Sequence, residues 1–178
     1  MTCLILVGMM GAGKTTVGRE LAKRLNLRFA DCDQELIART GVSVPVIFDI
    51  EGEAGFRQRE SRLLAELLAE PDIVIATGGG VVLSPANRAL LAENGIVIYL
   101  NVPPDTLWER TRYDRNRPLL QVENPRERIA ELHAQRDPLY RAVADIIINS
   151  EYGTCSSMAN RIKKALADFT GSSSQCAH

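Results

Sequence analysis

The chain carries a phosphate-binding pattern close to its start. Residues 8–15 read GMMGAGKT, which matches G-x-x-x-x-G-K-[ST], between an apolar run at 3–7 and a helix-compatible segment at 16–25. Such a turn directs backbone N–H groups and the positive end of a helix at one anion. An ordinary glycine-rich turn with a surface lysine is the alternative, and the flanking strand and helix disfavour it. The residues expected to hold a nucleotide's phosphates are Gly11, Ala12, Gly13, Lys14, Thr15 and Thr16.

Within this loop, Lys14 and Thr15 have distinct expected roles. The ammonium group of Lys14 supplies a mobile positive charge for the outer phosphates, and the Thr15 hydroxyl is a ligand for Mg²⁺. The pattern therefore predicts a nucleotide-dependent phosphotransferase with a bound magnesium ion.

Two carboxylates follow the next strand-like segment. Asp31 and Asp33 are two residues apart, a spacing that places both on one face of a strand. At the carboxyl end of a strand in an α/β protein, such side chains point into the ligand crevice. One is expected to assist Mg²⁺, directly or through water, and the other to bind a hydroxyl and accept its proton during attack on a γ-phosphate. A helix N-cap is the alternative role, one that Asp33 also fits.

Three consecutive glycines, Gly78, Gly79 and Gly80, end a continuous apolar run at 72–76. A crevice edge without side chains lets backbone N–H groups touch a ligand. A tight turn without a chemical role is the alternative. The apolar run is typical of a central parallel strand that is covered on both faces.

Two arginines are candidates for binding a carboxylate, because a guanidinium group pairs with a carboxylate through two hydrogen bonds and lysine does not. Arg57 lies near the start of a helical segment, where Glu60 is positioned to hold its side chain. Arg136 is expected to end a helix just before a proline. A solvated helix face and a helix C-terminus are the respective alternatives, and the sequence alone does not bring the two arginines together.

A polar, irregular stretch at 112–123 is predicted to form a mobile lid. Arg117 lies in it, and a lid arginine can reach a transferring phosphoryl group when the lid closes. A surface charge in a loop is the alternative. Arg110 and Arg112 are weaker candidates for flanking the nucleotide base.

Strand-like and helical segments alternate along the chain, which predicts a three-layer α/β/α P-loop fold with a five-stranded parallel sheet. The predicted strands are 2–7, 27–30, 72–76, 96–100 and 145–148. The predicted helices are 14–25, 33–40, a short one capped by Ser43, 53–69, 85–94, 104–111, 125–135 and 154–169. We expect a single domain over 1–178, with a helical substrate-binding insert at 33–60, the lid at 112–123, and a frayed tail at 171–178.

The composition and net charge of the chain limit the classes of partner that it is expected to bind. The chain has 178 residues and a net charge of −1, so bulk charge attracts neither nucleic acid nor an anionic membrane. Its four cysteines form no C-x-x-C pair, which disfavours a structural zinc site, and no apolar stretch reaches the ~20 residues that span a bilayer. We expect a soluble, cytoplasmic monomer that acts on a small molecule, without nucleic-acid or membrane partners.

In this order and combination, the motifs resemble those of shikimate kinases, within the nucleoside-monophosphate-kinase-like group of P-loop proteins. The resemblance extends over residues 8–140. The matching motifs are GMMGAGKTT at 8–16, DCD at 31–33, GVS at 41–43 leading to IF at 47–48, GEAGFRQRE at 52–60, TGGG at 77–80, RPLL at 117–120, and RDPLY at 136–140.

For the nucleotide side, the resemblance implies ATP as phosphoryl donor and Mg²⁺ as the metal. By position, Lys14 contacts the phosphates, Thr15 binds the metal, and Asp31 lies near the metal shell. Arg117 is the lid residue, and Arg110 is the positional match for an arginine against adenine.

For the acceptor side, the resemblance implies shikimate, which is converted to shikimate 3-phosphate in aromatic amino-acid biosynthesis. Asp33 is similar to the residue that binds the shikimate hydroxyls and acts as base. Arg57 and Arg136 resemble the carboxylate clamp, and Gly79 and Gly80 lie against the ring.

Two other functions remain as alternatives. One is another small-metabolite kinase, of the gluconate or nucleotide type, although the order of the DxD, FRxxE and TGGG motifs favours shikimate. The other is a nucleotide-dependent switch protein, which would need neither Asp33 nor Arg57. Pro45 departs from the family pattern in the insert, but it touches no matched contact.

Overall fold

The computed structural model describes residues 2–150 and 153–173, and the core is a five-stranded parallel sheet in the order β2-β3-β1-β4-β5. The predicted α/β/α fold is confirmed. The strands are β1 (Cys3–Val7), β2 (Arg28–Asp31), β3 (Ile73–Ala76), β4 (Ile96–Asn101) and β5 (Ile146–Asn149).

Helices cover the sheet. They are α1 (Lys14–Leu25), α2 (Cys32–Thr40), α3 (Val44–Leu68), α4 (Pro85–Asn94), α5 (Pro104–Thr111), α6 (Pro125–Val143) and α7 (Cys155–Ser173). Helices α1 and α7 pack together, whereas α4 contacts both α3 and α6. Every residue of β3 is buried, as its continuous apolar sequence predicts for a strand covered on both faces.

The sheet register brings the functional segments to one edge. Ala76 of β3 lies opposite both Leu6 of β1 and Asp31 of β2. The phosphate-binding loop, the glycines 78–80 and the Asp31–Asp33 segment therefore all leave the carboxyl edge of neighbouring strands. In parallel α/β sheets this edge is where ligands bind.

Helix α6 is longer than predicted. It continues through Pro138 to Val143, rather than ending near residue 135. Proline removes one helix hydrogen bond, but the buried face that begins at Ile129 and Leu132 continues through Arg136 and Tyr140. Packing of this face outweighs the local cost of the proline.

Among smaller expectations about the helices, two need correction and one is confirmed. Ser43 precedes α3, but its side chain makes no capping hydrogen bond. The two helices predicted on either side of residue 52 are both contained in α3 and meet at a kink at Gly52, where φ is 69° and ψ is 179°. Helix α7 extends to Ser173, past the predicted start of the tail at 171, and residues 174–178 lie outside the described residues.

The lid segment is short and mostly irregular, as predicted. It contains one 3₁₀ turn, Pro118–Leu120, in which Leu120 is buried. None of the helices described for residues 2–150 and 153–173 is long and apolar enough to cross a membrane.

Candidate active site

Two cavities meet at the carboxyl edge of the sheet. The P-loop cavity is lined by Gly13, Lys14, Thr15, Thr16, Asp31 and Arg110, among others. The arginine cavity, about 480 Å³ including the part open to solvent, is lined by Phe48, Phe56, Arg57, Glu60, Gly80 and Arg136, among others. Four residues line both, namely Met10, Asp33, Gly79 and Arg117. Groups held in the two cavities would face each other across these four residues.

The phosphate-binding loop has the conformation that its glycines permit. Gly11 and Gly13 have φ values of 78° and 93°, a region that other residues rarely adopt. No side chain caps α1, so its first amides are left for an anion. Lys14 is buried, and its Nζ donates to the carbonyls of Gly8 and Met9 at 2.8 Å each.

The side chain of Lys14 has a pKa that lies close to neutral pH. Burial lowers its pKa to about 8, and the positive charge of Arg117 acts in the same direction. The carboxylates of Asp33 and Asp31 partly oppose this shift. An anion bound in the P-loop cavity would favour the charged lysine.

Asp31 caps α2 and also reaches the loop. Its Oδ1 accepts a hydrogen bond from the Gln34 amide at 3.1 Å, and its Oδ2 accepts one from the Thr15 hydroxyl at 2.5 Å. Two hard oxygen ligands thus meet at one point of the P-loop cavity, an arrangement that fits Mg²⁺.

The prediction that Asp31 and Asp33 share one face of a strand is wrong. Asp31 is the last residue of β2, and Asp33 lies in the first turn of α2. The N-cap role considered for Asp33 belongs to Asp31. Both carboxylates nevertheless line the P-loop cavity, because the helix begins immediately at the strand's end.

Asp33 occupies the boundary between the cavities. Burial raises its pKa, and the negative charge of Asp31 adds to this effect, whereas Lys14, Arg117 and Arg57 oppose it. A carboxyl group with a raised pKa binds a proton more readily, as a general base requires.

Arg57 is held by two glutamates, one of which was predicted. Its guanidinium donates to Glu60 at 2.8 Å and to Glu53 at 3.2 Å, and it lies 5.2 Å from the centre of the Phe56 ring. A Cβ on Gly80 would come within 2.3 Å of this guanidinium. The absence of a side chain at Gly80 therefore makes room for Arg57.

Arg136 is a buried cation without a carboxylate partner among residues 2–150 and 153–173. Its side chain is on α6 and only 2% of the residue is exposed. Its Nε has no acceptor in the described structure. Because a buried charge is costly unless it is paired, Arg136 is suited to a ligand carboxylate in the arginine cavity.

Gly79 lies beside Arg136 and is fixed by a tyrosine. The Tyr140 hydroxyl donates to the Gly79 carbonyl at 2.5 Å, and the Tyr140 ring stacks on Tyr99 with ring centres 4.9 Å apart. Arg136 and Tyr140 are four residues apart on α6, so both side chains extend from one face of the helix to Gly79. A Cβ at Gly79 would lie 3.4 Å from the Arg136 guanidinium.

The two remaining arginines differ in their surroundings. Arg117 reaches the boundary of the cavities while its Nε lies 2.9 Å from the Asp114 carboxylate. Arg110 donates to the Gly11 carbonyl at 3.2 Å and lines the P-loop cavity. Arg112, the other candidate for the nucleotide base, lines neither cavity.

Several residues of the site were not selected from the sequence. Phe48, Asn116 and Leu119 line the arginine cavity. Phe48 and Leu119 belong to the matching motifs at 47–48 and 117–120 but were given no role, and Asn116 belongs to none of the matching motifs. Tyr140 could have been found, because it follows Arg136 by four residues in a helical segment. Its use depends on α6 continuing through Pro138, which local sequence disfavours.

Comparisons with known proteins agree with this geometry. The family model for shikimate kinase matches residues 10–167. The shikimate kinase of Aromatoleum aromaticum is 67% identical over 166 residues, which cover 93% of this chain and 95% of the relative. The shikimate kinase of Dechloromonas aromatica is 58% identical over 149 residues, which cover 84% of this chain and 81% of the relative.

A solved structure extends the likeness to three dimensions. Shikimate kinase from Acinetobacter baumannii in complex with shikimate is 46% identical, has a TM-score of 0.93, and the match covers 94% of both chains. Sequence, family model and fold agree over almost the whole length. The chain belongs to the shikimate kinase family.

Proposed function

We propose that the two cavities hold ATP and shikimate, and that Asp33 and Arg117 act where the cavities meet. Membership of the family makes the chain an ATP-dependent kinase that phosphorylates a hydroxyl of shikimate, as the resemblance predicted. The observation that best supports the residue assignment is the sharing of Asp33 by both cavities. A base at that position can touch an acceptor hydroxyl and face a phosphate at once.

On the donor side, the phosphates of ATP lie against the loop amides, and Lys14 moves from the loop carbonyls to the outer phosphates. The remaining loop contacts come from Gly11, Ala12, Gly13, Thr15 and Thr16. Arg110 is assigned to the adenine by its position in the family pattern, and it lines the P-loop cavity and donates to the Gly11 carbonyl.

The oxygens of Thr15 and Asp31 would hold Mg²⁺, the latter directly or through water. Their proximity in the P-loop cavity and the preference of Mg²⁺ for oxygen ligands support this choice. When bound, the ion neutralises charge on the phosphate oxygens.

On the acceptor side, Arg57 and Arg136 bind the carboxylate of shikimate. Both line the arginine cavity, and Arg136 brings a positive charge for which the described residues provide no carboxylate. The glycines 78–80 present backbone rather than side chains to the ring of the acceptor. Asp33 accepts a hydrogen bond from the 3-hydroxyl and thereby selects that group for reaction.

The transfer step follows from these positions. Asp33 takes the proton of the 3-hydroxyl while the oxygen of that hydroxyl bonds to the γ-phosphorus. The bond between the γ-phosphorus and the oxygen that bridges it to the β-phosphate breaks, and its electron pair leaves with ADP. Lys14 and Arg117 offset the charge on the transferring group. Catalysis here is positioning and charge neutralisation rather than covalent chemistry.

We further propose that the chain functions as a single-domain monomer in the cytoplasm, without nucleic-acid or membrane partners. A net charge of −1 supports the absence of nucleic-acid and membrane partners, and four cysteines scattered along the chain fit a reducing compartment. Analytical ultracentrifugation across a range of concentrations tests the monomer.

The decisive assay couples ADP release from Mg·ATP to a spectroscopic signal with shikimate, gluconate or no acceptor. We expect release that depends on shikimate, and ³¹P NMR should place the new ester on the 3-position. Stimulation by gluconate alone would overturn the assignment. Asp33→Asn and Arg57→Ala, assayed in parallel, separate loss of turnover from loss of acceptor affinity.

A further inference from the structure

Tyr140 lies outside the residues assigned to substrate in the previous section, yet it touches the turn on which the acceptor rests. It is fully buried, and its hydroxyl donates to the Gly79 carbonyl at 2.5 Å. Burial also raises the pKa of this phenol, although Arg136 opposes the shift, so the hydroxyl keeps its proton and remains a donor at neutral pH.

The Gly79 carbonyl and the Gly80 N–H belong to one peptide group. A trans peptide is planar, so its carbonyl and its N–H point in opposite directions. Fixing the Gly79 oxygen towards Tyr140 therefore turns the Gly80 N–H away from Tyr140. This N–H donates no hydrogen bond to another residue within 2–150 and 153–173, while Gly80 lines the arginine cavity.

Glycine has no side chain to restrain such a peptide. Three consecutive glycines can rotate their peptide groups easily, and the backbone hydrogen bonds of this turn, from Val81 to the Gly78 carbonyl and from Leu83 to the Gly80 carbonyl, leave the Gly79 carbonyl free. The Tyr140 hydroxyl supplies the missing restraint from a rigid helix.

Another contact holds Tyr140 in place. Its ring stacks on the Tyr99 ring with centres 4.9 Å apart, a contact that needs neither hydroxyl. The restraint on Gly79 is thus anchored in α6 and β4 rather than in a mobile loop.

We propose that Tyr140 is a positioning residue, which orients the Gly79–Gly80 peptide so that the Gly80 N–H donates to the acceptor. The inference rests on the proposed function, because it assumes that the acceptor occupies the arginine cavity. It concerns affinity for the acceptor and not the reacting atoms, which Tyr140 does not touch.

The test is Tyr140→Phe, which removes the hydroxyl and keeps the ring. We expect the KM for shikimate to rise by about three- to tenfold, the range of one lost net hydrogen bond, with kcat and the KM for ATP changed by less than about twofold. Tyr99→Phe is the matched control, because it removes a hydroxyl from the same stack without touching the glycines. Its KM for shikimate should stay at the wild-type value.

Rescue distinguishes positioning from general support of the fold. 4-Aminophenylalanine incorporated at position 140 restores a donor on the same ring and should return the KM for shikimate towards wild type. If Tyr140→Phe does not fold, a folded 4-aminophenylalanine variant with a raised KM for shikimate overturns the proposal. An unchanged KM in Tyr140→Phe, an equal rise in Tyr99→Phe, or no rescue overturns the proposal. If wild-type protein itself fails to use shikimate, the proposed function fails instead, so the two failures are distinguishable.

Discussion

Glu60 and Arg57 form an ion pair in which the anion is buried and the cation remains partly accessible. The Glu60 side chain is 1% exposed and the Arg57 side chain 22%, with 2.8 Å between Oε2 and the guanidinium. Burial raises the pKa of Glu60, whereas the charge of Arg57 opposes the rise. A Cβ on Gly78 would lie 2.3 Å from Glu60 Oε1. The Glu60 carboxylate therefore occupies space that a side chain at position 78 would fill.

This arrangement predicts unequal roles for the two glutamates that bind Arg57. Glu60→Ala removes a buried partner and leaves a cavity, and we expect it to lower the free energy of unfolding by about 2 kcal/mol and to raise the KM for shikimate at least tenfold. Glu53→Ala, which removes the half-exposed partner, should cost less than about 1 kcal/mol. Urea denaturation and steady-state kinetics measure both, and equal effects of the two substitutions would contradict the hierarchy.

Because Arg136 is buried, we expect its replacement to weaken the binding of shikimate and to stabilise the fold. Arg136→Met replaces a buried cation, which has no carboxylate partner within 4 Å among the described residues, by an apolar chain, so the free energy of unfolding without ligand should rise by about 1 kcal/mol. The KM for shikimate should rise by roughly 30- to 1,000-fold, the loss of a charge-assisted pair, with the KM for ATP unchanged.

The matched control for this substitution is Arg141→Met on the same helix. Arg141 is about half exposed and pairs with Asp137 at 2.8 Å. We expect Arg141→Met to change the free energy of unfolding by less than about 1 kcal/mol and to leave kcat and both KM values at the wild-type values. A destabilised Arg136→Met with normal affinity for shikimate would show that Arg136 is structural.

The sequence predicts best those features that depend on interactions between residues close together in the chain. The phosphate-binding loop was predicted in detail because its residues are consecutive and its conformation is set by local glycines. Asp33 was identified for an incorrect geometric reason, since a helix rather than a strand carries it. The catalytic hypothesis was unaffected, because the carboxylate leaves the same sheet edge in both cases.

Long-range features could not be predicted in the same way. Arg57 and Arg136 are 79 positions apart, and only the family pattern, not their local sequence, assigns them to one site. The burial of Glu60 and the hydrogen bond from Tyr140 to Gly79 depend on how α3 and α6 pack around the glycine turn. Such packing decides energetics that a linear motif does not contain.

Asp33 predicts opposite effects on activity and stability. Asp33→Asn should lower kcat by about 10² or more, as expected for loss of a general base, while ATP still binds. The raised pKa of Asp33 means that the folded state binds more protons than the unfolded state between about pH 4 and the folded pKa. Wild-type stability therefore falls as pH rises through that window, and the asparagine variant lacks this loss.

We consequently expect Asp33→Asn to be more stable than wild type at pH 7, with a difference that shrinks as pH approaches about 4. Urea denaturation across this range measures the difference. Asp49→Asn, at an exposed carboxylate on α3, is the control and should change stability by less than about 0.5 kcal/mol. A variant less stable than wild type at pH 7 would mean that the Asp33 charge supports the fold.

Lys14 predicts that nucleotide binding takes up protons. Its pKa of about 8 in the free protein reflects burial and the nearby Arg117. Phosphates beside Nζ favour the ammonium form and raise this pKa, so a fraction of a proton should bind with ATP at pH 8.5, where the nucleotide itself is fully ionised. Because binding takes up protons, affinity for ATP should fall as pH rises above 8. Titration calorimetry in two buffers of different ionisation enthalpy measures the uptake, and Lys14→Arg, which keeps a permanent charge, should abolish it. Identical uptake by this variant would assign the proton to another group.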